Sequence, residues 1–337
     1  MDHEPSMSTY GSTDLPEATR ERPLVSFVVV AYNQEAYIRQ AVEGALSQTY
    51  SPLEIILSDD CSPDRTFELM RELASLYRGP HLVKVRRNAQ NSGLAGHINQ
   101  AIAASSGEII SWAAGDDIAA PERTAVFVEA LVADPSLVAV HSNITDIDLE
   151  GRPLGDRRRS AREVEITLDA VVRRGQSVIT QSHAFRRAVF TRFGPFRDSL
   201  THEGKAMAFR EIVLGKVGYV DRCLTAYRVG SGISTYAGQD VTRKKSLEPI
   251  KYTTWFLSAF RQMLEDAGRL ETPLPPETLE ILRTNIRFYE NLLRINRGEA
   301  IVSPLVRNLL IAPKDSRSLR AAVRSVAPVA VYQRLMR

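Results

Sequence analysis

Cysteine is almost missing: Cys61 and Cys223 are the two in 337 residues. That count builds no disulfide framework and fits a chain expected in a reducing cytoplasm. Long hydrophobic runs are missing too, none approaching the roughly 18 apolar residues that a membrane span needs. Residues 1–22 are polar with no apolar stretch, so they are expected to be a disordered tail rather than a signal peptide or anchor. Single-sign charge is scarce, the formal net being +3, which gives no reason to expect nucleic acid as a partner. Neither a GxGxxG fingerprint nor a Walker loop occurs, which disfavours NAD and ATP chemistry. There is no internal repeat. The apolar fraction of 44% is that of an ordinary globular protein, and the length suffices for one large domain or two smaller ones.

Against that background one pattern stands out, because it occurs twice. Leu53-Glu54-Ile55-Ile56-Leu57-Ser58 runs into Asp59-Asp60, and Ile109-Ile110-Ser111-Trp112-Ala113-Ala114 runs through Gly115 into Asp116-Asp117. Short apolar runs ended by Gly, Ser and Asp read as buried parallel strands. In open α/β sheets the ligand crevice lies outside the carboxyl ends of such strands. Four carboxylates are therefore expected on one rim, where a metal ion, ribose hydroxyls or a nucleobase amide proton would relieve their repulsion.

The rest of the first half supplies the remaining elements. Leu24–Tyr32 reads as a strand buried on both faces, and Leu82–Val85, Glu108–Ala113 and Leu137–His141 as further strands. Between them, helical spacing joins Ile38, Val42, Ala45 and Leu46, then Phe67, Met70, Leu73 and Ala74, then Ile98, Ala101 and Ile102. Ser62-Pro63-Asp64 and Pro121 read as helix starts. This alternation predicts a doubly wound, mostly parallel α/β sheet. After residue 143 a hairpin or loop is expected over Asp148–Gly155, a charged mobile segment over Arg157–Arg162, and a short helix near Leu168–Arg173. A helix over Leu200–Leu214 and a strand over Val217–Asp221 follow, then helices from about Asp240 to the end, broken by prolines.

Four words in order, VSFVVVAYNQEAYIRQAV, LSQTYSPLEIILSDDCSPDRT, NAQNSGLAGHINQAI and SSGEIISWAAGDDIAAPER, resemble the family 2 glycosyltransferases, inverting enzymes with a GT-A fold. A weaker likeness continues from Phe193 to Ser234. The resemblance implies a GT-A domain over 23–234, between the polar tail expected over 1–22 and the helical C-terminal region expected over 235–337, which lies outside the likeness. Within that domain, 23–143 would form the nucleotide half and 144–234 the acceptor half. It further implies transfer of a sugar from a nucleoside diphosphate sugar, of UDP or GDP type, to a glycan or lipid-linked acceptor hydroxyl. The product would be a bacterial surface polysaccharide or lipid-linked glycan. Ala31, Tyr32, Asn33 and Glu35 would hold the nucleotide with Asp59, and Asp60 would accept the ring N–H of the base, which an apolar slot could not read. Asp116 and Asp117 would hold Mg²⁺ or Mn²⁺ against the diphosphate. Asn91 and Gly93, with His97 and Asn99, would border the nucleotide, and Arg228 would clamp the diphosphate.

Three positions depart from the family pattern. Ala114 stands where another Asp is usual. His202-Glu203-Gly204 precedes Arg210 in the register of the family's Glu-Asp, so Gly204 replaces the usual base and Glu203 becomes the candidate base, with His202 a weaker one. Gly230 stands where many members carry a histidine, which leaves His183 as a fallback metal or acceptor contact. These departures set a metal-dependent hexosyltransferase against an alternative, a nucleotide-sugar-binding protein that has lost turnover and regulates or scaffolds. Cys61 reads as a small loop residue. Residues 301–337 hold seven Lys/Arg against one Asp. With Leu319, Val323 and Val326 among those basic residues, this region could lie on an anionic membrane at the inner face.

Overall fold

The structure, a computed structural model, describes residues 6–11, 22–158, 164–232, 241–297 and 299. The expected mobile stretch beyond Arg158 and the basic region from residue 301 lie outside the described residues. So does most of the N-terminal tail. The described residues fall into two compact units.

The first unit is built on one sheet. Its centre is four parallel strands, β4 (Leu82–Arg87), β3 (Leu53–Asp59), β2 (Val25–Ala31) and β5 (Ile109–Ala114), in that spatial order. The crossovers are α1 (Ile38–Leu46), α2 (Thr66–Leu76) and α3 (Gly93–Ala103). Every residue of β3 is buried, as the near-continuous apolar run requires of a strand covered on both faces. Phe27, Val29, Ile55, Leu57, Val83 and Val85 form the middle of the core with Met70 and Phe127.

Beyond β5 the direction changes. After the two-residue strand β6 (Ile118–Ala119) and α4 (Arg123–Ala133), the long strand β7 (Leu137–Ile147) turns into β8 (Pro153–Arg157). That hairpin is one of the two forms expected for the segment. The short β9 (His183–Arg186) is antiparallel to both β5 and β7 and joins the two halves of the sheet. β10 (Lys216–Arg228) runs parallel to β7 and pairs β6 on its other side. β9 escaped the sequence reading because four residues with a histidine and an arginine show no period.

The polar tail needs a correction. Ser6–Gly11 is a strand, β1, pairing antiparallel with β4 from Ser6↔Arg87 to Gly11↔Leu82. An edge strand is held by main-chain hydrogen bonds, so a segment with one large apolar side chain, Met7, can form it without an apolar signal.

The second unit gathers Thr167–Ser177, Ser199–Phe209 and the described chain beyond residue 240. It contains α5 (Leu168–Arg174), the start of α7 (Glu203–Leu214, after a short α6 at Ala188–Phe193), α8 (Val241–Ala267) and α9 (Pro276–Asn296). Two segments expected within the acceptor half, 167–177 and 199–209, thus cluster with the C-terminal helices. Tyr289 stacks on Phe256 at 5.0 Å, and Asn285 Nδ2 donates to the Val172 carbonyl at 2.7 Å. Among the described residues no helix is long and apolar enough to cross a membrane.

One carboxylate ties the amino ends of the central strands together. Glu54 is fully buried and accepts from Lys84 Nζ at 2.8 Å, Ser106 Oγ at 2.9 Å and the Gly107 N–H at 3.1 Å, and also from Ser26 Oγ and the Ser106 N–H. Burial pushes its pKa up, but Lys84, Ser26 and Ser106 outweigh burial and hold it below the ordinary value. A depressed carboxyl pKa gives stability that is present at neutral pH and lost as pH falls through the folded-state value. Glu54→Gln is expected to cost about 3 kcal/mol at pH 7. In chemical denaturation that deficit should shrink as pH falls below the ordinary carboxylate range and the wild-type carboxyl protonates as well.

Candidate active site

The carboxyl ends of β3, β2 and β5 make one rim. Register sets Asp59 beside Ala31 and Ala114 beside Val30, so both acidic pairs flank the end of β2. Asn33 sits just past that end with φ 55°, a left-handed turn that asparagine tolerates. Three successive N–H groups of the loop are taken by the approach to α2. Asn33 N donates to Ser62 Oγ, Gln34 N to Thr66 Oγ1 and Glu35 N to Asp64 Oδ2, at 2.8–2.9 Å. Glu35 answers by accepting from Arg65 N at 3.1 Å. The first rim is therefore a laced loop that leaves Tyr32 exposed.

Asp59 and Asp60 play different parts. Asp59 Oδ2 accepts from Ser62 N at 3.0 Å and pairs with Arg87 Nε at 3.2 Å, which shapes the turn into α2. Asp60 Oδ1 accepts from Asn88 Nδ2 at 2.6 Å and Ser92 N at 2.9 Å. Asn88 is in turn held by Arg86, whose Nη1 donates to Ser58 Oγ at 2.6 Å. Burial raises the pKa of both acids, against the pull of these donors. His97 faces this network from below, its Nε2 2.8 Å from Ser58 Oγ, and burial beside Arg86 lowers its pKa to about 3. Its side chain thus braces Asp60 through Ser58 and Arg86. Asn99 is similarly engaged, exchanging two 2.8 Å bonds with the main chain of Phe196. Asn91 and Gly93 do lie exposed at the mouth of α3, Asn91 Oδ1 accepting from Gly93 N at 3.0 Å.

The second acidic pair is more deeply set. Gly115 admits the close approach of the β2 rim, since a Cβ there would fall 2.3 Å from Gln34 Oε1 and 2.6 Å from the Ala31 Cβ. Asp116 Oδ2 accepts from Ser231 Oγ at 2.7 Å, and Asp117 Oδ1 from Arg228 N at 2.9 Å. Asp117 Oδ2 is buried with no hydrogen-bond partner. Burial raises the pKa of Asp116, and burial plus the Asp116 charge raises that of Asp117 well above the ordinary value. Beneath them Arg123 is fully buried, against the Phe27 and Phe127 rings, with Nε and Nη1 lacking hydrogen-bond partners. Burial lowers its pKa to about 9, and Asp117 is the charge that opposes this.

Arg228 organises the corner. Its Nε donates to the Asp116 carbonyl at 3.0 Å, Nη1 to the carbonyls of Asp148 and Leu149, and Nη2 to Gln40 Oε1 at 2.6 Å. With Tyr37 stacked at 4.8 Å, this buried guanidinium serves as an internal tie, a different use from the diphosphate clamp expected of it. Gly230 adopts φ 103°, which a histidine could not share without strain, and Ser231 reaches Asp116 from the next position. Among the described residues no three acids, histidines or cysteines gather into a ready-made metal cage.

Comparison with known proteins identifies the domain that carries this rim. The family model described as glycosyl transferase family 2 matches residues 26–193. Those residues are a family 2 glycosyltransferase domain. An uncharacterized glycosyltransferase of Haemophilus influenzae is 33% identical over 120 residues, 36% of this chain and 36% of that protein. The succinoglycan biosynthesis protein ExoO of Rhizobium meliloti is 33% identical over 159 residues, 47% of this chain and 44% of that one. The matched stretches thus span less than half the length of these two curated relatives. Among solved structures, Staphylococcus aureus TarS residues 1–349 with UDP-GlcNAc gives a TM-score of 0.55 at 14% identity, covering 89% of this chain and 79% of that one. The mannosyltransferase PcManGT of Pyrobaculum calidifontis, with GDP-Man and Mn²⁺, gives 0.55 at 18% identity, covering 96% and 85%. At such identities these likenesses establish the GT-A fold.

The remaining candidates are each set in surroundings of their own. Glu203 opens α7 in the second unit, where a carboxylate favours the helix N-terminus. The neighbouring His202 ring meets Trp255 edge-to-face at 5.3 Å, and burial lowers its pKa. Gly204 is buried in the same turn. Arg210 is a core residue, its guanidinium over Phe196 at 4.4 Å and its Nη1 on the Gly194 carbonyl. His183 is fully buried on β9 with Nε2 2.9 Å from Glu211 Oε1, so it is an interior pair member. Sequence reasoning missed Gln34, Ser231 and Arg123. Gln34 and Arg123 stand inside the matching words, yet neither is an acid, the residue type that drew attention there.

A carboxyl whose folded-state pKa is raised destabilises the fold as pH rises through that value. Asp117→Asn removes the charge without removing the acceptor bonded to Arg228 N. In metal-free buffer at pH 8 the variant is expected to melt about 3 °C above wild type by scanning calorimetry. The gain should fade as pH falls toward the ordinary carboxylate value, because the native carboxyl takes up its own proton on the way down.

Proposed function

We propose that this chain transfers a hexosyl group from a nucleoside diphosphate sugar to an acceptor hydroxyl, with inversion, by a single displacement. The observation that carries the reading is the Asp116–Asp117 corner, buried, donor-poor and set on the same rim as Asp60. Asp60, immobilised by Asn88 and Ser92, accepts the ring N–H of a uracil or guanine base. Tyr32, exposed past β2, and Asn91 and Gly93 at the mouth of α3 border the nucleotide with Ala31, Asn33, Glu35 and Asp59.

The residues at the corner fit a divalent cation. Asp117 Oδ2 has no partner, and both acids offer the hard oxygen ligands that suit Mg²⁺ or Mn²⁺. Mg²⁺ commonly takes one or two carboxylates and completes its shell with water and substrate phosphates, so a two-acid site is sufficient. Bound there, the ion would supply Lewis-acid stabilisation of charge on the departing diphosphate. The neighbour PcManGT was solved with GDP-Man and Mn²⁺, and TarS with UDP-GlcNAc, which supports both the donor class and the cation.

In the transfer step the acceptor oxygen attacks the anomeric carbon, the bond from that carbon to the diphosphate oxygen breaks, and the acceptor proton goes to a base. Glu203 is the proposed base, since Gly204 has no side chain to serve. Positioning the two substrates accounts for much of the acceleration. Likeness to the succinoglycan biosynthesis protein supports a bacterial polysaccharide or lipid-linked acceptor. We place the protein in the cytoplasm, with contact to the inner membrane face through residues 301–337.

Calorimetric titration and a nucleotide-release assay test this reading, with the full chain, UDP-, GDP- and dTDP-sugars, and Mn²⁺ present or absent. Metal-dependent binding and release of free nucleoside diphosphate, with release down at least a hundredfold in Asp116→Ala, are expected. Binding without release in the presence of glycan and lipid acceptors would favour a nucleotide-sugar sensor, the reading that Gly204 supports. Glu203→Gln should lower kcat by about 10²–10⁴ and leave donor KM near wild type. An unchanged kcat would remove Glu203 from the mechanism.

A further inference from the structure

Two acceptor oxygens at the acidic corner lack donors. One is Asp117 Oδ2, on a residue only 2% exposed, and the other is Gln34 Oε1. Gln34 is not a wandering surface amide. Its N–H donates to Thr66 Oγ1 at 2.8 Å, and its carbonyl accepts from the N–H groups of Tyr37 and Ile38 at 2.9 Å each. Its side chain lies flat on Gly115, where a Cβ would come within 2.3 Å of Oε1. The Gln34 amide lies close enough to the Asp116 carboxylate to oppose the rise that burial gives its pKa. A neighbouring carboxylate favours the N–H₂ end of the amide facing it, which leaves Oε1 as the end without a donor. The carbonyl oxygen then lies against Gly115, the residue that leads into the two acids, buried and without a donor.

Unpartnered buried acceptors next to a pair of acids repel one another, and the species that satisfies them is a cation. Amide carbonyls join carboxylates and water as ligands for hard divalent ions. At position 114, where the resemblance leads one to expect another acid, this chain has only the Ala114 methyl group.

We propose that Gln34 Oε1 completes the divalent-cation site of Asp116 and Asp117, supplying a neutral oxygen in place of the acid absent at position 114. The proposal rests on the reading of that corner as a cation site. A neutral third ligand leaves the protein's share of the site at two negative charges. Mn²⁺ alone should therefore bind weakly, and the diphosphate of a nucleotide should tighten it strongly.

The test is Mn²⁺ binding to the full chain, read as loss of the free-ion signal in electron paramagnetic resonance, with Mn²⁺ alone and with UDP or GDP. Gln34→Leu should weaken Mn²⁺ binding about tenfold in the presence of nucleotide, with the circular dichroism and melting temperature close to wild type. Gln34→Glu, nearly isosteric, should tighten Mn²⁺ binding in the absence of nucleotide. An unchanged Mn²⁺ Kd in either variant, while Asp117→Asn weakens it, would overturn the role of Gln34 and leave the acidic corner standing. Wild-type chain that binds no Mn²⁺ under any of these conditions would overturn the corner itself, and Gln34 with it.

Discussion

Like charges packed at the carboxyl ends of two strands set the terms for the rest of this domain. Two carboxylates in contact repel by about 4 kcal/mol at an effective dielectric of about 20, and burial adds the cost of stripped water. The chain meets that cost unevenly. Asp59 and Asp60 receive main-chain N–H groups, an asparagine amide and an arginine, and Asp59 Oδ1 is left without a donor. Asp116 and Asp117 receive one hydroxyl and one main-chain N–H, with the Gln34 amide beside Asp116, and Asp117 keeps an oxygen with no donor. The under-served pair is the one suited to an ion that arrives with its substrate.

Two arginines make that arrangement tolerable without neutralising it. Arg228 gives its guanidinium to main-chain carbonyls and Gln40 and only its N–H to Asp117, so it fixes the corner's shape while leaving the carboxylates open. Arg123 lies beneath, within the core, acting on Asp117 through the field and not through a hydrogen bond. A direct salt bridge would have consumed the acceptor oxygen that a cation needs. At the other end of the strands Glu54 shows the opposite design, a buried acid with every oxygen served, and its role is structural.

Much of this was legible beforehand. The run-then-acid pattern located both rims because a strand covered on both faces must be apolar until it reaches the edge, where polarity returns abruptly. Helices showed in their spacing. The tail strand Ser6–Gly11 did not show, since main-chain pairing to β4 leaves no side-chain signature, and β9 was too short to have a period. His97 and Asn99 looked like nucleotide contacts for their place in a motif, and the fold turned both inward.

The sequence by itself determined the strand order's raw material, the placing of four acids at strand ends, and a likeness to the glycosyltransferases that the family match upheld. Those properties are local, written in apolar runs and in residues a few positions apart. Only the tertiary structure decided which acid oxygens stay open, because their donors come from far along the chain: Ser231 and Arg228 lie more than a hundred residues from Asp116 and Asp117. It likewise decided that Arg228 ties the corner together and that Gln34 lies across Gly115. A side chain's charge is fixed by its identity, but the partners that meet that charge are fixed only when distant segments pack.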